Sequence, residues 1–387
     1  MASGSRPGEL AWPTDHLWAL AVLVFLAVRT IGLFVLALFG GIHEQPMREL
    51  LTKWDGQWML ELAEHGYSGA SSTLTDAQGL YTPDTGYAFF PGYPMLVGAL
   101  AKIPGVSPFG AATTISLVAG CVAAVGVARL GALCARRSPY DVDPQSVGLI
   151  LVVLFAATPM SIVLNMAYTE ALFCALAAWA LVGVLSRQWL LAGFCALGVG
   201  LVRPTGVAVI AVVMVAALLA RRDGPRAWAA VVLAPLGYLG YLAVVAVQTG
   251  SPTGWFRIQT DGWDTRFDFG SSTARFVWNS LTSAEDFASV ATSFVILVTL
   301  GLLVWAFAAS LPWPVTAYAT LVLASVLLSG GLMMSRARLV LPAFVLLIPL
   351  AILLSRGRPA VRAWLVLPVL GSAWFGAYML TVFQYAI

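Results

Sequence analysis

Asp55 lies in the most polar and aromatic run between the first two long apolar segments, the fifteen residues from Lys53 to Tyr67. At helical spacing Trp54, Trp58, Glu61 and His65 share one face with Asp55 beside them, and Gly66 is placed to cap the helix. A carboxylate flanked by indoles suits sugar chemistry, because indoles stack on pyranose faces and an Asp can take a proton. The same pattern also suits an interfacial helix anchored by tryptophans at headgroup level.

Three further polar motifs interrupt apolar sequence: Asn165-Met-Ala-Tyr168-Thr-Glu170, Arg203-Pro-Thr-Gly206 and Ser335-Arg336-Ala-Arg338. A guanidinium buried in a bundle mouth binds phosphate oxygens bidentately and stays charged at any relevant pH. Each motif has a plainer reading. Glu170 could complement a helix dipole, Arg203 could snorkel, and Arg338 beside Arg336 could anchor at headgroups. Tyr168 and the aromatics from Phe89 to Tyr93 suit an interfacial belt. All four motifs falling on one side of a membrane favours a shared site.

The elements that would position these residues are membrane helices. The chain is 60% hydrophobic and 10% charged, against roughly 25% charged in soluble domains. Only Lys53 and Lys102 are lysines among the 21 basic residues, and no basic stripe indicates nucleic acid. Cys121, Cys134, Cys174 and Cys195 sit singly in apolar spans and predict no disulfide, and the three histidines lack zinc-site spacing. The polar stretch Met1 to Asp15 and the long apolar run behind it do not read as a cleavable signal peptide.

Leu17–Gly40 is long enough to cross a core of roughly 30 Å, with Arg29 costly there unless it snorkels or pairs. Ten more spans are expected at about 108–134, 145–164, 169–185, 188–202, 206–220, 227–248, 288–310, 312–332, 339–354 and 361–383. Tyr87 to Ile103 reads as a surface-lying or re-entrant helix. The expected fold is thus an all-α integral membrane protein of about eleven transmembrane helices. It is one polytopic domain over residues 1–387, with extracytoplasmic loops at about 41–107 and 249–287.

Threading this with the N-terminus inside puts Arg129, Arg136, Arg137, Arg187, Arg221, Arg222, Arg226, Arg356, Arg358 and Arg362 in the cytoplasm. Most carboxylates, from Glu44 and Asp55 to Glu285 and Asp286, fall outside with the C-terminus. Asp261-x-x-Asp264 is a weak metal candidate in the second loop, and we expect no metal or cofactor. A secondary transporter of an anionic or lipid-linked solute is the alternative function that intramembrane charges allow.

Trp54-Asp55-x-x-Trp58 with Ala63-x-x-Gly66-Tyr67 resembles the first-loop signature of the PIG-V-like mannosyltransferases. The order of later motifs is also similar: Phe89-Phe90-Pro91-x-Tyr93-Pro94, Tyr168-Thr169-Glu170, Arg203-Pro204-x-Gly206 and Arg338-x-x-Leu341-Pro342-Ala343-Phe344. Met59 and Leu339 depart from the aromatic residues usual there, which bears on the acceptor more than on the reaction.

The resemblance implies a GT-C fold with its site on the extracytoplasmic or lumenal side, and the composition suggests a bacterial source, hence a plasma membrane. It implies a polyprenyl-phosphate sugar donor, most simply of mannose, and a glycolipid, lipoglycan or protein acceptor. Asp55 would be the general base of an inverting displacement, and Arg203 and Arg338, with Arg336 as substitute, would hold the donor phosphate. Trp54, Trp58, His65, Tyr67, Tyr93, Tyr168 and Glu170 would line the substrate site.

Overall fold

Caps and prolines set where the helices begin. The computed structural model describes residues 16–283 and 286–386, so Met1 to Asp15 and the Glu285 named above lie outside the described residues. Helix α1 (Leu17–Ile42) leads into a loop that carries α2 (Met47–Thr52), α3 (Asp55–His65), a 3-10 turn at Thr85–Ala88 and α4 (Gly92–Ala101). Helix α5 (Pro108–Ala135) opens on Ser107, whose hydroxyl accepts from the Gly110 amide. Helix α6 (Pro144–Ala156) opens on Asp143, which accepts from the amides of Gln145 and Ser146.

Then come α7 (Glu170–Leu185), α8 (Trp189–Val199), α9 (Gly206–Leu219) and the pair α10 (Pro225–Leu233) and α11 (Leu236–Thr249). A second loop holds α12 (Gly254–Trp263) and α13 (Ser271–Ser283). The chain closes with α14 (Phe287–Ala308), α15 (Trp313–Leu327), α16 (Arg336–Leu339), α17 (Ile348–Arg356), α18 (Pro359–Arg362) and α19 (Val366–Thr381).

Among the described residues five helical stretches are long and apolar enough to cross a membrane: Leu17–Ile42, Pro108–Ala135, Pro225–Thr249, Phe287–Ala308 and Ala360–Thr381. Met333–Leu339 with Leu341–Arg356 makes a sixth only as one span bent by 51°. The protein is therefore an all-helical integral membrane protein, but with fewer full-length spans than the eleven expected. The other apolar segments form helices of 11 to 16 residues, roughly 16–24 Å long at 1.5 Å per residue. They stop short because helix gives way to turns or irregular backbone at Ala157–Thr169, Gly200–Thr205 and Leu328–Ser335. At membrane depth such backbone persists only where protein covers it or a cavity meets it.

Helix α5 is the centre of the bundle, packed against α6 and α7, while α1 pairs with α19 and α7 with α8. Small residues permit the closest approach: a Cβ on Gly148 of α6 would strike the Ala128 carbonyl of α5. Phe155, Phe173, Tyr318 and Phe344 fill the middle.

The arginine clusters gather at one end of the bundle. There Arg137 donates to the Leu185 carbonyl, Arg187 pairs with Asp223 at 3.1 Å, and Arg356 lies over the Tyr140 ring. The three irregular segments and both loops with short helices lie at the other end.

Arg29 pairs rather than snorkels. Its guanidinium donates to Asn165 Oδ1 at 2.6 Å, to Ser161 Oγ at 2.7 Å and to the Ala156 carbonyl at 2.8 Å. It thereby satisfies the backbone that the end of α6 leaves open and fixes the segment leading to Tyr168 and Glu170. Arg29→Met should remove three charge-assisted hydrogen bonds and leave buried acceptors unmet. We expect a loss of about 2–5 kcal/mol, seen as a lower unfolding midpoint of the detergent-solubilised protein; an unchanged midpoint would show that the segment is held otherwise.

Candidate active site

Asp55 is aimed by a strained turn. Trp54, the residue before it, has φ 52° and ψ −113°, a conformation uncommon for a residue with a Cβ. Four contacts hold the turn in place. The Tyr168 hydroxyl donates to the Lys53 carbonyl at 3.0 Å, and the Ala167 amide donates to the Leu51 carbonyl at 2.9 Å. The Lys53 ammonium donates to the Leu380 carbonyl at 2.5 Å and to Gln45 at 3.2 Å. Burial lowers the pKa of Lys53 against the opposing field of Glu49. Gly56 packs beneath the Ala167–Tyr168 segment, where a Cβ would lie in ordinary van der Waals contact with the Tyr168 ring. At the other end of α3, Gly66 takes φ 70° and its amide donates to the Leu62 carbonyl, the cap its position in the sequence implied.

The result is a charge cluster drawn from four distant parts of the chain. Arg338 Nη1 donates to Asp55 Oδ2 at 2.5 Å and stands 3.7 Å from Glu170 Oε1. Arg203 forms an ion pair with the same Glu170 oxygen and donates to Thr169 Oγ1 at 3.2 Å. The Arg338 guanidinium also sits 5.0 Å from the Tyr168 ring centre. Side-chain exposure is 0% for Glu170, 7% for Arg338 and 11% for Arg203, but 34% for Asp55. Asp55 is thus the cluster's most open member, and its second oxygen, Oδ1, has no hydrogen-bond partner among the described residues.

Asp55, Tyr168, Arg203, Arg336 and Arg338 line one cavity of about 350 Å³. Glu170 lies behind its wall as the shared counter-charge. Arg336 spends its Nη atoms on carbonyls, those of Val326, Ser329 and Gly330. It therefore braces the break after α15.

Trp54, Trp58, His65, Tyr67 and Tyr93 are not on the cavity surface. Trp54 packs on the main core and Trp58 stacks on Phe89 at 5.4 Å. His65 pairs with Glu61 at 3.2 Å, at the far end of α3. The Tyr67 ring stacks on Tyr87 and its hydroxyl donates to the Phe89 carbonyl, while burial raises its pKa. Tyr93 is fully buried, its hydroxyl bonded to Ala112 and Ser116.

The cavity wall opposite the charges lies largely outside the motifs that sequence reasoning picks out. It is built by Phe89 and Phe90 and, from the second loop, by Trp255, Gln259 and Trp263 of α12. The three α12 positions are spaced four apart, one face of a helix, a signal present in the sequence but missed because the segment reads as loop.

The overall fold is similar to that of solved membrane-protein structures. One such structure is the crystal structure of ArnT from Cupriavidus metallidurans bound to undecaprenyl phosphate, with a TM-score of 0.54 and 14% sequence identity. The match covers 92% of this chain and 63% of ArnT, so this chain spans under two thirds of that protein's length. No family model matches the sequence, and no curated protein matches it.

Glu170→Gln removes the counter-charge that two buried guanidinium groups share. It should cost about 3–5 kcal/mol of stability, and adding Arg203→Gln should recover part of that in thermal unfolding of the detergent-solubilised protein. If the double variant is less stable than the single one, Arg203 contributes through contacts other than Glu170.

Proposed function

We propose that the protein is a glycosyltransferase that moves a sugar, most simply mannose, from a polyprenyl-phosphate donor to a lipid-linked, glycan or protein acceptor outside the cytoplasm. The observation that carries this reading is the Asp55–Arg338 ion pair at the wall of a cavity shared with Arg203. A base and phosphate-binding cations are thereby held side by side. The undecaprenyl phosphate bound to ArnT supports the choice of donor.

In the proposed reaction an acceptor hydroxyl gives its proton to Asp55 Oδ1 as its oxygen attacks the anomeric carbon. The bond from that carbon to the phosphate oxygen breaks with inversion, and polyprenyl phosphate leaves with the electron pair. Arg338 and Arg203 neutralise the departing phosphate. Arg336 contributes charge at a distance, because its Nη atoms are already engaged.

All eleven apolar segments are assigned to the membrane, the short ones completed by the irregular backbone at the site end. The N-terminus is cytoplasmic, the arginine-rich end of the bundle faces inward, and loops 41–107 and 249–287 face out. The acceptor class stays open between glycolipid, lipoglycan and protein. A secondary transporter would need polar groups reachable from both ends, whereas the cavity's charges come from segments at one end.

Asp55→Asn should leave the fold intact and lower transfer from radiolabelled polyprenyl-phosphate mannose by about 10²–10⁴-fold; undiminished transfer would remove Asp55 as the base. Arg338→Lys keeps the charge facing Glu170 but loses the planar fork, so donor binding should weaken by about tenfold or more at near-normal stability. Donor binding equal to the parent's would place the phosphate elsewhere. Orientation is checked by thiol labelling, with Ser271→Cys expected to react from outside intact cells and Arg222→Cys only after permeabilisation.

A further inference from the structure

The α12 wall of the cavity has no part in the proton and phosphate chemistry, yet its composition is specific. Trp255, Gln259 and Trp263 fall on one face of α12 and all reach the cavity. Each tryptophan is backed by another ring. Trp263 meets Phe89 edge-on at 5.7 Å (interplanar angle 87°), and Trp255 meets Phe90 at 5.7 Å (76°). Phe89 is in turn stacked on Trp58, and Phe90 on Tyr238. Rings braced in this way present fixed apolar faces with little conformational entropy left to lose.

The helix itself is pinned. The Ala77 amide donates to the Gly262 carbonyl at 3.1 Å, and Gly262 rests against Asp76. Gln259 Nε2 donates to the Ala88 carbonyl at 3.0 Å, which fixes the amide and leaves its carbonyl oxygen as an acceptor.

Five polar atoms on the cavity's lining residues are buried without a hydrogen-bond partner among the described residues: the hydroxyls of Thr205 and Ser335, Nε of Arg336 and of Arg338 and, on the α12 wall, the indole N–H of Trp255. Orphaned donors of this kind are costly unless a ligand meets them. Flat rings, a fixed amide acceptor and a waiting N–H match the alternating apolar faces and hydroxyl edges of a pyranose. A lipid chain would use only the rings, and a phosphate only the donors.

We infer that Trp255, Gln259 and Trp263 form the subsite for the transferred sugar ring, and so determine which sugar the enzyme accepts. The inference rests on the glycosyltransferase reading above. In this arrangement the phosphate lies on the arginine wall and the ring against α12, with its anomeric carbon held between Asp55 and the leaving group. The aromatic face supplies affinity and orientation. Gln259 and the Trp255 N–H read hydroxyl positions, where a missing partner costs more than a missing apolar contact.

Binding of two lipids to the full-length protein in nanodiscs tests this: polyprenyl-phosphate mannose and the same polyprenyl phosphate without sugar. Trp263→Ala should weaken the glycosylated lipid by about tenfold and leave the bare phosphate lipid within about twofold. Gln259→Ala, which removes no ring from the wall, should show the same split. Equal losses for both lipids, or no loss for either, in both variants would overturn the subsite. Arg338→Lys serves as the contrast and should weaken both lipids together. Should the parent protein bind neither lipid, the donor assignment falls, and the subsite with it. Binding of both lipids by the parent without the split in the variants overturns the subsite alone.

Discussion

A carboxylate with no exposure to solvent cannot stay ionised without nearby positive charge, and the ion pairs of Glu170 organise this end of the molecule. Arg203 and Arg338 supply that charge from segments more than a hundred residues apart. Arg338 Nη1 faces both carboxylates, 3.7 Å from Glu170 and bonded to Asp55 at 2.5 Å, so the charge of Glu170 helps hold it where it meets Asp55. Glu170 thus works as the keystone of the pair of opposite charges at the cavity wall. Substituting either arginine by a neutral residue strands a buried charge, so loss of function in such a variant would mix catalysis with stability. Charge-preserving changes separate the two.

The same demand explains why so many apolar segments end early. A straight α-helix through Ala157–Thr169 would satisfy its own backbone but would turn Tyr168, Thr169 and Glu170 to different faces. Breaking the helix brings Tyr168 under the Lys53 carbonyl and Glu170 to the first turn of α7. The freed backbone then needs partners, and Arg29 donates to the Ala156 carbonyl while its bonds to the side chains of Ser161 and Asn165 pin the broken segment. Arg336 donates to the carbonyls of Val326, Ser329 and Gly330 at the break after α15. Two buried arginines therefore serve the backbone and two serve the site, a division of labour the bare sequence does not label.

Much of this is legible in the chain itself. Apolar run lengths locate the segments, prolines and caps locate their starts, and the motifs around Asp55, Tyr168, Arg203 and Arg338 stand out without any knowledge of their spatial meeting. Helix length is not legible, because an apolar run looks the same whether it stays helical or loosens into a 3-10 turn against a neighbour. The indole and phenol groups near Asp55 mislead for a related reason: Trp58 and Tyr67 share its neighbourhood in sequence, yet packing turns them to Phe89 and Tyr87. Periodicity in α12 carries usable information, but its low hydrophobicity makes it resemble connecting loop.

Charge balance gives the cavity a preference for an anion even before any ligand is considered. Asp55 and Glu170 offset Arg203 and Arg338, and Arg266 is offset by its neighbour Asp264. Arg336 has no carboxylate within salt-bridge distance among the described residues; Asp268 acts on it only through the field. One guanidinium charge is therefore left without a direct partner where low dielectric keeps its potential long-ranged. A phosphodiester brings a single negative charge, enough to meet it without disturbing the Glu170 pairs. A neutral sugar alone would leave the potential unmet, which accords with the phosphate-linked donor proposed above.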